Sequence, residues 1–218
     1  MKFFLSAVFS MLLATFAFLP SVSLAGNWYV GGGVGQSKSA FDVSGVQEML
    51  QSYPGFSTSF VMDETATGKK VFGGYRINRY VAVEGQYADF GKFTSSFSAS
   101  KGSQKALSTG EWSATGLGVS MMGILPIGSK VSLFGKVGML RWNATTSYAY
   151  VDNISPESFS GSDDATGTSS MLGVGINVKV AKKLSLRFEH ERVNDVGDEY
   201  VTGKTDISLT TANLVFNF

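Results

Sequence analysis

The chain has 218 residues, enough for one domain, with 18 Lys+Arg against 17 Asp+Glu, one histidine and no cysteine. So small a net charge supplies no basic field to displace counterions, which excludes nucleic acid as an expected partner. Without cysteine there is neither a disulfide framework nor a lipid-modified residue to serve as an anchor.

Lys2 precedes an apolar stretch, Phe3 to Leu19, that contains no acidic residue. Pro20 breaks it, and Ser23-Leu24-Ala25 presents the small residues of a signal-peptidase site. Residues 1–25 are therefore expected to be a cleaved signal peptide, because an uncleaved anchor would be followed by a basic flank. Removing Lys2 with them leaves 17 charges of each sign. No apolar run after residue 25 is long enough for a membrane helix. The remaining classes are a soluble periplasmic β protein and a transmembrane β-barrel, whose signal per segment is far weaker than a helix's.

From residue 27 onward the dominant period is two. Eight strands are predicted, at about 27–37, 68–78, 80–91, 111–124, 130–144, 168–180, 184–194 and 206–218. The first holds Gly31-Gly32-Gly33-Val34-Gly35, which no helix follows, so close packing in a narrow barrel explains it better than a phosphate cradle. The loop after it carries Val46, Met49, Leu50 and Tyr53 at helical spacing, with Pro54-Gly55 to end a short helix. In the third strand Val81, Val83 and Tyr87 oppose Ala82, Glu84 and Gln86. In the sixth, Leu172, Val174, Ile176 and Val178 oppose Gly173, Gly175, Asn177 and Lys179. In the seventh, Leu184, Leu186 and Phe188 oppose Ser185, Arg187, Glu189 and Glu191. The last is one alternating row, Thr210, Ala212, Leu214, Phe216 and Phe218, ending on an aromatic at the level of the periplasmic girdle.

Alternation alone does not say which face points inward. A lipocalin-like barrel puts its apolar face inside, whereas a membrane barrel inverts this. Connection lengths decide between them. Short turns are expected at Asn78-Arg79, Pro126-Ile127-Gly128-Ser129 and Ala181-Lys182-Lys183, and long polar loops at 38–67, 92–110, 145–167 and 195–205. Regular long–short alternation is the mark of an all-β, eight-stranded antiparallel up-and-down barrel with short periplasmic turns and long outer loops.

Trp28-Tyr29-Val30-Gly31, Phe72-Gly73-Gly74-Tyr75-Arg76-Ile77-Asn78, Val81-Ala82-Val83-Glu84 with Tyr87 and Gly91, Leu186-Arg187-Phe188-Glu189, Asn194-Asp195-Val196-Gly197-Asp198 and the ending Phe216-Asn217-Phe218 together resemble the OmpA-type outer-membrane transmembrane domain family. The resemblance spans nearly all of residues 26–218. It implies an eight-stranded barrel with a small, polar, ion-paired interior. Glu84 and Arg187 match the family's interior acidic and basic residues, but Met122 and Asn177 stand where an interior Lys and Glu are expected. Leu214, Phe216 and Phe218 fit a C-terminal signal read by the outer-membrane assembly machinery. Many relatives carry a further peptidoglycan-binding domain. None follows Phe218, so tethering to the cell wall is not expected.

With the apolar faces toward lipid, Arg76, Glu84, Lys136, Lys179, Arg187, Glu189 and Glu191 point inward, and isolated charges there would be costly. They are expected to pair, Arg76 with Glu84 across a hairpin, either as filling or as the gate of an ion path. His190 faces outward near the upper rim, and the serine two residues on that lipid A deacylases use is missing. No catalytic site, cofactor or metal is expected. The acidic pairs Asp63-Glu64, Asp163-Asp164 and Asp195 with Asp198-Glu199 lack the spacing of a calcium loop.

The expected function is therefore structural or surface-interactive, in envelope integrity or adhesion. The expected partners are outer-membrane lipid and lipopolysaccharide, the assembly machinery, and a surface ligand held by the loops. A narrow low-conductance pore and a soluble lipocalin-like carrier are the alternatives.

Overall fold

The computed structural model describes residues 27–41, 57–153 and 158–218. The signal segment 1–25 and the helical spacing at Val46–Tyr53 lie outside them. Among the described residues nine strands follow in order: β1 Trp28–Ser39, β2 Ser57–Met62, β3 Thr65–Arg76, β4 Val81–Lys101, β5 Gln104–Ile127, β6 Val131–Asp152, β7 Ser158–Lys179, β8 Leu184–Val196 and β9 Thr205–Asn217. All pairings are antiparallel, and β1 pairs with both β3 and β9, while β4 pairs with β5, so the sheet closes on itself. Closure leaves no unpaired edge for lipid to meet.

The ring has eight staves because β2 and β3 pair in succession with the same strand. β3 runs along β4 from Arg76↔Ala82 to Lys69↔Asp89, and β2 continues from Met62↔Ser95 to Ser57↔Ser100. β2 thus extends the β3 stave beyond a break at Asp63-Glu64, where Thr65 N–H and Oγ1–H donate to Asp63 Oδ1.

Two of the expected loops are strands. β4 and β5 pair without interruption from Lys92↔Ser113 to Lys101↔Gln104, across the turn Gly102-Ser103. β6 and β7 likewise pair up to Val151↔Ser158. Residues 92–110 and most of 145–167 therefore form tall hairpins. Their Ser, Thr and Gly residues face water on both sides, so backbone pairing persists where apolar alternation stops. On the opposite rim, Pro126 and Ile127 pair with Ser132 and Val131 and belong to β5, which shortens that turn to residues 128–130.

The apolar face points outward. Leu117, Val119, Val174, Leu172, Phe188 and Leu214 are all more than half exposed on the closed ring. A lipocalin-like carrier needs the reverse arrangement, so that alternative fails. Trp28, Tyr75 and Tyr80 stand near the short-turn end, with Trp28 and Tyr75 rings 5.0 Å apart, as an interfacial girdle requires. Leu214, Phe216 and Phe218 are exposed along the same wall, Phe216 and Phe218 in edge contact at 5.3 Å.

Two irregularities redirect the inward face. In β4, the register shifts between Asp89 and Lys92 at Gly91, whose φ is +80°. A Cβ at Gly91 would lie 2.5 Å from the Thr67 carbonyl oxygen. Gly91→Ala is expected to destabilise the barrel by about 1–2 kcal/mol from the left-handed conformation alone, with the steric contact adding to it. Urea unfolding in lipid vesicles checks this. In β8, the shift between Val193 and Val196 contains Asp195 at φ 53°.

Candidate functional site

Among the described residues, the barrel interior holds the densest arrangement of buried charge. Alternation sends Arg187, Glu189 and Glu191 of β8 inward as one column, facing Lys70 of β3, Glu84 and Gln86 of β4 and Lys136 of β6. All seven are buried. Lys70 Nζ lies 2.5 Å from Glu189 Oε2 and 2.7 Å from Glu191 Oε2. Lys136 Nζ lies 2.7 Å from Glu189 Oε1 and 3.3 Å from Glu84 Oε1, and also reaches Glu191. Arg187 Nη1 donates to Glu84 Oε2 at 2.6 Å, and the Tyr29 hydroxyl donates to the same oxygen at 2.9 Å. Three cations thus meet three carboxylates, so the layer is neutral as a unit even though each member would be costly alone.

Aromatic rings enclose the ionic layer. The Arg187 guanidinium lies 4.5 Å from the Phe72 ring centroid, 5.0 Å from Phe134 and 5.3 Å from Tyr29. Gly31 makes room for this group: a Cβ there would sit 2.5 Å from the Phe72 ring. Gln86 links upward, accepting from Lys136 Nζ at 2.8 Å and donating to Met171 Sδ at 3.2 Å. Above it the interior is apolar. Phe90, Phe93, Trp112, Leu140, Trp142, Met171, Ile207 and Leu209 form one buried cluster, with Trp142 Nε1–H donating to Ser169 Oγ at 2.8 Å. The ion-paired interior implied by the family resemblance is therefore a single layer, with an apolar plug above it.

Five of the seven charges singled out from sequence come together here: Glu84, Lys136, Arg187, Glu189 and Glu191. Arg76 does not pair with Glu84. Glu84 is held by Arg187, Lys136 and Tyr29, and Arg76 lies instead over the Tyr29 ring, 5.4 Å from its centroid. Lys179 is exposed at the short-turn mouth. Sequence reasoning missed Lys70, although it shares parity in β3 with Phe72 and Arg76, and that parity was the available signal. Tyr29 was missed for a different reason: its role depends on a partner 55 positions away. Met122, which stands where the family resemblance places a lysine, is buried in the apolar cluster that includes Tyr29, Phe72 and Phe134.

His190 is exposed on the outer face, its Nδ1 2.8 Å from Thr210 Oγ1. No group of three or more His, Cys, Asp or Glu side chains is placed to hold a metal among the described residues. Asp198 caps a turn, accepting from the backbone N–H groups of Tyr200 and Val201, and Asp195 pairs with Lys204 at 2.9 Å.

A family model described as the OmpA-like transmembrane domain matches residues 24–218. Outer membrane protein A of Klebsiella pneumoniae is 26% identical over 192 residues, covering 88% of this chain and 51% of the relative. Outer membrane protein A of Shigella dysenteriae is 27% identical over 158 residues, 71% of this chain and 41% of the relative. The chain thus spans about half, or less, of these relatives' length. Among solved structures, Neisserial surface protein A aligns with a TM-score of 0.51 at 13% identity, over 88% of this chain and 97% of that one. The attachment invasion locus protein of Yersinia pestis gives 0.50 at 15%, over 88% and 99%. These two likenesses concern the fold.

Proposed function

The chain belongs to the OmpA-like transmembrane domain family and lies in the bacterial outer membrane, and from that premise we propose that it is a structural and surface-interaction barrel with a closed interior. The observation that carries this reading is the filled lumen: a neutral ionic layer of six charges under an apolar plug that includes Trp112, Trp142 and Leu140. Eight-stranded barrels are narrow enough for side chains to fill them, and here they do so in two successive layers. The Glu84–Arg187–Lys136 contacts serve as filling that fixes strand positions.

The outward-reaching hairpins are the interacting part. Tyr150 and Phe159 stack at 5.1 Å on the β6–β7 hairpin, with Tyr148 at 6.4 Å from Phe159. Exposed rigid aromatics of this kind are preferred anchors of protein contacts. Lipopolysaccharide meets the outer wall, and the Leu214-Phe216-Phe218 row is offered to the assembly machinery during insertion. Residues 1–25 act as the export signal. We assign no catalysis, since His190 has a threonine for a neighbour and no activated nucleophile beside it among the described residues.

In planar bilayers the purified barrel is expected to show no steady conductance at neutral pH. Steady openings that disappear in Glu84→Ala would overturn the closed reading in favour of a narrow pore gated by the ionic layer.

A further inference from the structure

The short-turn end of the barrel holds a cavity of about 360 Å³ whose charged side chains are all cationic, with Phe218 and its main-chain carboxylate also among the lining residues. Arg76, Arg79, Lys130, Lys179, Lys182 and Arg187 line it, and no Asp or Glu does. Its floor is Tyr29, Met122 and Phe134, directly below the ionic layer. Only Arg187 among these cations is matched by a carboxylate, Glu84, in the ion pairs among the described residues. Even there Arg187 Nε, buried in the wall, has no hydrogen-bond partner among the described residues, nor does the nearby Asn177 Oδ1.

We propose that this vestibule is a binding site for a phosphate-bearing anion presented from the periplasmic side. Several cations around one concavity with low-dielectric walls focus a positive potential into it, and Arg76 and Arg79 bring the planar donors that suit phosphate oxygens. The volume lies within the range of small-ligand pockets. Because the lumen above is filled, an anion that enters is retained rather than passed. The phosphate ester can belong to a phospholipid headgroup of the inner leaflet, which meets the barrel at the Trp28, Tyr75 and Tyr80 girdle, or to a free periplasmic phosphate. The chemistry recognised is the same. Unlike the reading above, this inference does not depend on the hairpins or on any surface partner.

The test uses the whole barrel in octyl glucoside micelles, which contain no phosphate, with amide chemical shifts as the readout. One arm titrates pyrophosphate and the other short-chain phosphatidylglycerol. Saturable shifts are expected in the turns at residues 77–80, 128–130 and 180–183. Arg76→Gln and Lys182→Gln should each weaken binding about tenfold, the loss of one charge-assisted contact. Lys92→Gln, on the opposite rim and paired with Glu111, should leave it unchanged. Tighter binding in the second arm assigns the site to lipid, and tighter binding in the first assigns it to a free anion. Absence of saturation in both arms, or equal weakening by Lys92→Gln, overturns the proposal. Should Arg76→Gln not fold, Lys182→Gln, in an exposed turn, carries the comparison alone.

Discussion

Lys136→Met is expected to lower the unfolding free energy of the barrel by about 3–5 kcal/mol, the cost of breaking a buried ion network from one side. Lys136 touches three carboxylates, Glu84, Glu189 and Glu191. Without it, those three face only Lys70 and Arg187, and one negative charge stays buried and uncompensated. The methionine preserves volume, so lost packing contributes little. Lys136→Met combined with Glu191→Gln restores neutrality and is expected to recover part of the loss, which a double-mutant cycle measures as coupling. Urea unfolding in lipid vesicles, followed by tryptophan fluorescence and by the gel mobility of the folded barrel, reads both variants. A single-mutant loss below about 1 kcal/mol, the size of an exposed pair, would mean that water reaches the layer and that it does not act as filling.

How much of this could be read in advance follows from where alternation carries information. In β8, Leu184, Leu186 and Phe188 face lipid while Arg187, Glu189 and Glu191 face inward, so one strand displays both solvents and its orientation follows once the connections are compared. In the β4–β5 hairpin above Phe93, Ser95, Ser96, Ser98 and Ser100 face water on both sides, and the period vanishes although the strand continues. That is why residues 92–110 read as loop. β2 was invisible for a related reason: Ser57-Thr58-Ser59 carries no contrast between faces, and its pairing with β4 is set by the backbone.

Bulges hide two further inward positions. Glu84, Gln86, Ala88 and Phe90 are inward at even positions, yet Phe93 is also buried because Gly91 inserts one residue and reverses the parity. Val193 and Val196 are both buried for the same reason at Asp195. Of the apolar plug, Phe93 and Val196 stand on these reversed positions and escape a count of twos, whereas Trp112, Leu140, Trp142, Met171, Ile207 and Leu209 keep the inward parity of their strands. The ionic layer lies below both bulges, where parity still holds, and most of its members were identified from sequence.

The two kinds of exposed apolar residue can be separated by experiment. Val119 on β5 and Val151 on β6 are similarly exposed, at 64% and 56%. Val119 stands between Leu117 and Met121, opposite Met139, within the lipid-facing band. Val151 sits where β6 pairs with the first residues of β7, beyond the apolar plug, on a hairpin that projects into water. Val119→Arg is therefore expected to cost about 2–4 kcal/mol, the penalty for arginine at mid-bilayer depth on a barrel wall. Val151→Arg should change stability by less than about 0.5 kcal/mol, as surface substitutions do. Both are measured by reversible unfolding from the same vesicles. Equal costs at the two sites would place the tall hairpins inside the membrane, a height that the polar faces of Ser108, Thr109 and Ser160 could not satisfy there. A negligible cost at Val119 would put water, rather than lipid, against the outer wall.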